Sequence, residues 1–187
     1  MYSINDIKNG LIITLNNEPY RVLEASHLKL GRGGAILQTK LKNLIDGTIL
    51  NKNFKGAEKI QEAEIEEKEC QFIYEDKNKF FFMDNQTFEQ FFLLEAQITD
   101  VKKFLKEGAN YLIIFYQNKP VDIKLPIKMD FKVTKTEPAV KGDTVSKATK
   151  KAIIETGFVV SVPLFIREGD IIKVDTRDGK YLERVNS

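Results

Sequence analysis

The sequence holds a single cysteine and a single histidine among 187 residues, and each shortage excludes a chemistry. Cys70 has no partner for an internal disulfide, and a lone thiol in a strand-like run reads as an inert residue of a reducing compartment. One histidine and one cysteine make no zinc site without carboxylates. No local motif pairs His27 with Cys70 as base and nucleophile, so His27 reads as a surface or packing residue. There is no nucleophile elbow, and Gly31-Arg32-Gly33-Gly34 lacks the Lys-Ser/Thr of a phosphate-binding P-loop. Carboxylate pairs such as Glu66-Glu67 lie in a charged stretch with no sign of a pocket. No catalytic residue, metal ligand or cofactor is expected, and the chain does not read as an enzyme.

Long apolar runs are also missing. The longest clusters, Phe80-Phe81-Phe82 and Phe91-Phe92-Leu93-Leu94, fall far short of the roughly 18 residues of a membrane helix. No membrane partner is expected. The opening MYSINDIKNG reaches Asp6 before any apolar stretch, so no signal peptide is expected and the cytoplasm is the expected compartment. With 42% hydrophobic and 30% charged residues, the chain is neither disordered nor membrane-spanning.

The charge that is present is unevenly placed. Net charge is only +2, yet residues 1–60 carry nine Lys/Arg against five Asp/Glu, and residues 61–127 carry eight against thirteen. Residues 128–187 return to twelve against nine. Two basic ends around an acidic middle suit a molecule that touches a polyanion at both ends. Such asymmetry is also compatible with no nucleic-acid partner at all.

Short β-type runs bounded by turn residues recur along the chain. Residues 11–15 and 20–23 flank Asn16-Asn17, a hairpin signal. From Leu37 the run alternates, with Leu37, Thr39 and Leu41 on one face and Gln38, Lys40 and Lys42 on the other. Asp46-Gly47 turns the chain before residues 48–50. The acidic stretch 62–69 marks a boundary and reads as a solvated strand edge. Strands are expected at 71–74 and 80–83, followed by two helical pieces. One opens at Thr87-Phe88-Glu89-Gln90; in the other Asp100 caps residues 101–105 and Gly108 stops them. Strands at 111–116 and 121–125, with Asn118-Lys119-Pro120 turning between them, complete the middle unit. Five more, at 129–135, 151–155, 158–162, 170–175 and 181–185, form a third unit that reads as an oligonucleotide-binding barrel. The expected fold is mainly β: three small barrels in series, over residues 1–63, 64–127 and 128–187.

Between the strands ending near Lys29 and starting at Ala35 lies Leu30-Gly31-Arg32-Gly33-Gly34. Gly31, Gly33 and Gly34 let the backbone turn tightly and approach a partner closely, leaving Arg32 as the one side chain with reach. An extended arm from Ser26 to Arg32 spans about 20 Å. A permanently charged, planar guanidinium at its end suits phosphate contact or base stacking. Taken alone, the segment reads more readily as an ordinary glycine-rich hairpin turn.

Longer motifs resolve that choice. HLKLGRGGAILQTKLKNLIDGTILNKNFKGAEKI, residues 27–60, resembles the first domain of bacterial elongation factor P, where a lysine- or arginine-tipped hairpin precedes a KLKNL-like strand. Met83-Asp84-Asn85-Gln86-Thr87-Phe88-Glu89-Gln90 resembles the MDNETFEQ-like segment of the second domain. KAIIETGFVVSVPLFIREG, residues 151–169, resembles the family's C-terminal signature, and VDTRDGKYLERV, residues 174–185, its ending. The four motifs cover the whole chain in order. The tip departs from the commoner form, which has proline before the first glycine and lysine between the glycines; here these are Leu30 and Arg32. Lysine-directed additions therefore do not apply. Arginine-tipped members can be rhamnosylated by an arginine-modifying enzyme, and those usually have Ser before the Gly and Asn after the Arg; here those positions hold Leu30 and Gly33, which do not fit that context.

The resemblance implies an N-terminal KOW/SH3-like barrel, two OB-fold barrels and an L-shaped tRNA mimic. It implies a monomeric translation factor that binds the ribosome, its rRNA and ribosomal proteins, between the P and E sites. There it relieves stalling at consecutive prolines by positioning peptidyl-tRNA. By that analogy Arg32 contacts the tRNA CCA end, Lys29 supports the arm, and Lys40 and Lys42 contact the RNA backbone. Gly142, Asp143 and Thr144 form the loop that approaches the E-site codon of the mRNA. Two other readings stand beside this one. One is a general RNA-binding module; the other is the elongation factor P-like paralogue, which usually lacks the Gly-Asp-Thr loop and the Thr-Arg-Asp-Gly ending found here.

Overall fold

A computed structural model describes residues 1–30, 34–137 and 149–185 of the chain. Within them the protein is mainly β, in three five-stranded sheets. The first takes β1 (Ile12–Leu15), β2 (Glu18–Leu30), β3 (Gly34–Asn43), β4 (Ile49–Lys55) and β5 (Gln61–Glu62), in the order β4-β3-β2-β1-β5. The second takes β6 (Ile65–Asp76), β7 (Lys79–Asp84), β8 (Gln90–Leu94), β9 (Asn110–Tyr116) and β10 (Lys119–Lys124), in the order β10-β9-β6-β7-β8. The third takes β11 (Lys128–Thr136), β12 (Thr149–Ile154), β13 (Val159–Pro163), β14 (Ile171–Asp175) and β15 (Lys180–Val185), in the order β13-β12-β11-β14-β15.

Local turn chemistry explains several of these hairpins. Asn16-Asn17, Lys77-Asn78 and Gln117-Asn118 each place two successive residues at positive φ, between 47° and 66°. Two left-handed residues in a row make the tight turn whose twist matches that of the flanking strands. The middle turn therefore sits at Gln117-Asn118, not at Asn118-Lys119-Pro120: Lys119 and Pro120 already belong to β10. Pro120 is tolerated there because β10 is an edge strand, where a missing N–H breaks no ladder.

The helical expectations need two corrections. Thr87–Gln90 opens no helix; Gln90 starts β8, and the helix, α1, is a single turn over Glu95–Ile98. Phe91 and Leu93 point inward and Phe92 and Leu94 outward, and aromatic residues on both faces disguised the alternation. The second piece is a 3₁₀ turn, Lys102–Phe104, whose cap position is Val101 with no side-chain cap bond, so Asp100 does not cap it. Phe104 anchors it.

The chain divides into two compact units, residues 1–98 with 110–123, and residues 99–109 with 124–187. In the first unit Ile13, Leu37 and Leu41, all fully buried, centre the core of the first sheet. The core of the second sheet is built from Phe72, Phe80, Phe82, Leu93 and Ile113. In the second unit Phe104 joins Phe131, Val133, Ile154, Val162 and Ile172, so the 3₁₀ turn closes the third sheet's core. Burying each such side chain is worth about 1.5–3 kcal/mol.

Candidate nucleic-acid interface

The longest ladder among the described residues positions the expected site. β2 pairs with β3 from Tyr20↔Asn43 to Leu30↔Gly34, with one irregularity between Val22 and Glu24. β4 flanks β3 as far as Ile36↔Lys55, so Ala35 and Gly34 run on past the end of β4. Lys29 pairs with Ala35 and Gly34 with Leu30 at the far end of this hairpin. Gly31, Arg32 and Gly33 lie outside the described residues, as do Gly142, Asp143 and Thr144.

The alternation read from sequence holds on β3. Leu37, Thr39 and Leu41 are buried against the core, while Gln38 and Lys40 face outward. Register extends this face over three strands. Ser26 pairs with Gln38 and Gln38 with Asn53; Glu24 pairs with Lys40 and Lys40 with Asn51. Together with Asn9 these side chains line an open polar concavity of ≈ 680 Å³. Hydroxyl, carboxamide and ammonium groups in such rows are the kind that contact phosphate and ribose. Lys40 Nζ stands 3.6 Å from Glu24 Oε1, with the two side chains 42% and 73% exposed. A solvated pair of this sort is worth under about 1 kcal/mol, so Lys40 can trade Glu24 for a phosphate at little cost. The sequence put forward Lys40 as a candidate but not Asn9, Ser26, Asn51 or Asn53; the β3–β4 register is what gathers the last two beside it.

Lys42 is different. It lies on the outward side of β3 but is only 9% exposed, and its Nζ donates to the backbone O of Gln97 at 3.1 Å. An ammonium committed to a buried carbonyl is not offered to RNA, so Lys42 leaves the set of backbone contacts. It belongs instead to a tie between the first and second sheets inside the first unit. Gln97 is the hub: its Oε1 accepts from Leu94 N at 2.7 Å, and its Nε2 donates to Leu44 O at 3.0 Å and Val121 O at 3.4 Å. Arg21 Nη1 reaches buried Asp122 Oδ2 at 2.8 Å. Ile12, Leu44, Ala63, Ile114, Tyr116 and Val121 form the apolar part of the same seam. The base of the β2–β3 hairpin is thereby fixed by packing and by oriented polar bonds.

In the second unit, Lys135, Thr136, Glu137 and Lys151 line a shallow cavity of ≈ 340 Å³ beside the ends of β11 and β12. Lys150 Nζ donates to Thr136 Oγ1 at 2.9 Å. Along the Thr176-Arg177-Asp178-Gly179 turn, the Arg177 side chain and backbone N–H bind Asp175 and hold its carboxyl down to about 2. Cys70 is fully buried, and that burial, aided by the nearby Asp84 charge, pushes its thiol up to about 12. Among the described residues no three His, Cys, Asp or Glu side chains gather as a metal site, and no helix is long and apolar enough to cross a membrane.

Comparison with known proteins accounts for nearly the full length. Residues 3–60 match the elongation factor P KOW-like domain, residues 65–123 the elongation factor P OB domain, and residues 129–184 the elongation factor P C-terminal domain. Elongation factor P of Alkaliphilus oremlandii is 45% identical over 99% of this chain and 100% of that one. Elongation factor P of Moorella thermoacetica is 42% identical over 98% of this chain and 100% of that one. A solved translation initiation factor 5A from Methanococcus jannaschii has a TM-score of 0.48 at 18% identity, covering 65% of this chain and 94% of that one. That likeness is too slight to bear on function. The three family models in chain order, with relatives matched end to end, show that the chain belongs to the elongation factor P family.

Proposed function

We propose that the chain is a cytoplasmic, monomeric translation elongation factor that stimulates peptide-bond formation at consecutive prolines by positioning peptidyl-tRNA on the ribosome between the P and E sites. The observation that carries this is the β2–β3 ladder, which runs to Leu30↔Gly34 with one irregularity near its base and is tied there through Gln97 and the Arg21–Asp122 pair. An arm fixed at its base suits placement, and placement is what a slow proline acceptor needs. Proline's locked φ and secondary amine give poor attack geometry, and positioning alone can supply a large part of a barrier reduction. The factor needs no chemistry of its own. Arg32 contacts the CCA end, with Gly31, Gly33 and Gly34 allowing close approach; Lys29 supports the arm. Lys40, with the carboxamides around it, follows the RNA backbone. Gly142, Asp143 and Thr144 approach the E-site codon of the mRNA.

The test is reconstituted translation of a Pro-Pro-Pro message with unmodified protein. Arg32→Ala is expected to keep its stability within about 0.5 kcal/mol, as exposed substitutions do, and to co-sediment with ribosomes, yet to lose most of the stimulation. Arg32→Lys recovers only part, since a point charge does not reproduce a planar fork. Full activity in Arg32→Ala removes Arg32 from the mechanism. Wild type that is inactive until prepared from its native cell places an arginine-modifying enzyme among the partners. Failure to bind ribosomes returns the chain to a general RNA-binding role.

A further inference from the structure

The outward face of β6, β7 and β8 carries a row of aromatic rings that no packing within the described residues explains. Register sets Tyr74 opposite Phe81 and Phe81 opposite Phe92. Tyr74 and Phe81 stack with centroids 4.6 Å apart, and Phe81 and Phe92 follow at 5.8 Å. Tyr74 is 42% exposed, Phe92 41% and the neighbouring Leu94 41%. Scattered exposed apolar residues are ordinary, but a contiguous stacked row over three strands marks a contact surface.

The charge around the row selects the kind of partner. Residues 65–98 carry eight Asp/Glu against three lysines, and on the face of the row itself β6 presents exposed Asp76 at one end and exposed Glu69 farther along the strand. Aromatic platforms for single-stranded nucleic acid sit in basic grooves; this one would repel phosphates. The rings accept a cation: Lys79 Nζ rests 4.4 Å from the Phe92 centroid. An intramolecular lysine thus already displays the contact that a partner's cations would make on the remaining ring faces. The outward side of the same sheet also packs protein elsewhere, where Ile114 and Tyr116 meet Ile12 and Leu44 of the first sheet.

We infer that Tyr74, Phe81 and Phe92 form a docking face for a basic, arginine-bearing segment of a partner protein, with guanidinium groups stacking on the rings and Glu69 and Asp76 steering them. Arginine and aromatic residues are enriched at protein interfaces for this reason. The inference stands independently of the positioning role above.

The experiment uses the full chain and a fluorescein-labelled ten-residue Gly-Arg repeat peptide, followed by fluorescence anisotropy at low salt, with oligouridine as the contrasting probe. Wild type is expected to bind the peptide, with ring-proton shifts at Tyr74, Phe81 and Phe92 in NMR spectra. Tyr74→Leu with Phe92→Leu keeps apolar bulk but removes two ring faces, and peptide binding should weaken about tenfold. Glu69→Gln with Asp76→Asn, both exposed, should also weaken it and reduce its salt dependence. Oligouridine binding should be the same for all three proteins. Unmoved ring resonances, unchanged peptide binding in both variants, or a loss confined to oligouridine would each overturn the inference.

Discussion

Replacing Gln97 by leucine tests whether the base of the hairpin is held by oriented bonds or by packing alone. The side chain is 7% exposed and ties three places that are distant in sequence: Leu94 N, Leu44 O and Val121 O. Leucine restores most of the bulk, so the loss is polar. The Leu94 N–H, on a residue 41% exposed in the edge strand β8, loses its 2.7 Å acceptor at a cost of about 0.5–1.5 kcal/mol. Leu44 O and Val121 O add less, because a carbonyl retains a second lone pair and the 3.4 Å contact is near the limit of a hydrogen bond. The expected loss is about 1–2 kcal/mol, a sizeable fraction of the about 5–15 kcal/mol that holds an ordinary domain together. Urea unfolding followed by circular dichroism should show it, with a melting point about 5 °C lower. At a temperature where the variant is still folded, stimulation of Pro-Pro-Pro synthesis should fall further than the folded fraction does, because the arm's base is loosened. A loss under about 0.5 kcal/mol, the size of an ordinary surface substitution, would refute the assignment of Gln97 as a tie.

Three further outcomes follow from the geometry. Gly47→Ala places a Cβ 2.4 Å from Ala96 O at φ +77°, whereas Gly157→Ala meets nothing within 4 Å at φ +83°. Both pay about 1–2 kcal/mol for left-handed backbone, so thermal melts should show Gly47→Ala markedly the worse; equal losses would mean the α1 contact is slack. Asp175, with its carboxyl held down to about 2 by Arg177, contributes stability that is present above the unfolded carboxylate value of about 3.9 and is lost as pH falls through the folded one. Asp175→Asn should therefore flatten the decline in urea midpoint between pH 4 and pH 2, and an unchanged slope would assign that decline to other groups. Cys70, pushed up to about 12 by burial, should resist iodoacetamide at pH 8 in the folded protein and react promptly in urea, as followed by intact mass. Equal rates in the two states would contradict its burial.

Several features were legible because they are local. The Asn16-Asn17 hairpin could be read from two residues that tolerate positive φ between two apolar runs. The inward row Leu37, Thr39 and Leu41 followed from a period of two. The run Phe91-Phe92-Leu93-Leu94 was not legible as a strand, since apolar side chains face both ways and the alternation disappears. Its outward member Phe92 lies against Phe81 and Tyr74 only because three strands align. The glycine-flanked Arg32 was legible as a candidate tip through its neighbours and through family resemblance, not through any contact.

The sequence by itself determined the mainly β class, most strand positions, the acidic middle and the family, since these depend on pattern, composition and motif order along the chain. Tertiary structure decided what those residues do. Lys40 and Lys42 are two residues apart on the same side of one strand, and no local rule separates them. Lys40 stays in a solvated polar concavity next to Asn51. Lys42 is buried by a carbonyl that arrives 55 residues later in the chain. Whether a lysine is offered to a partner or spent inside the protein is a matter of what covers it, and cover is set by contacts between segments that a local reading of the sequence cannot bring together.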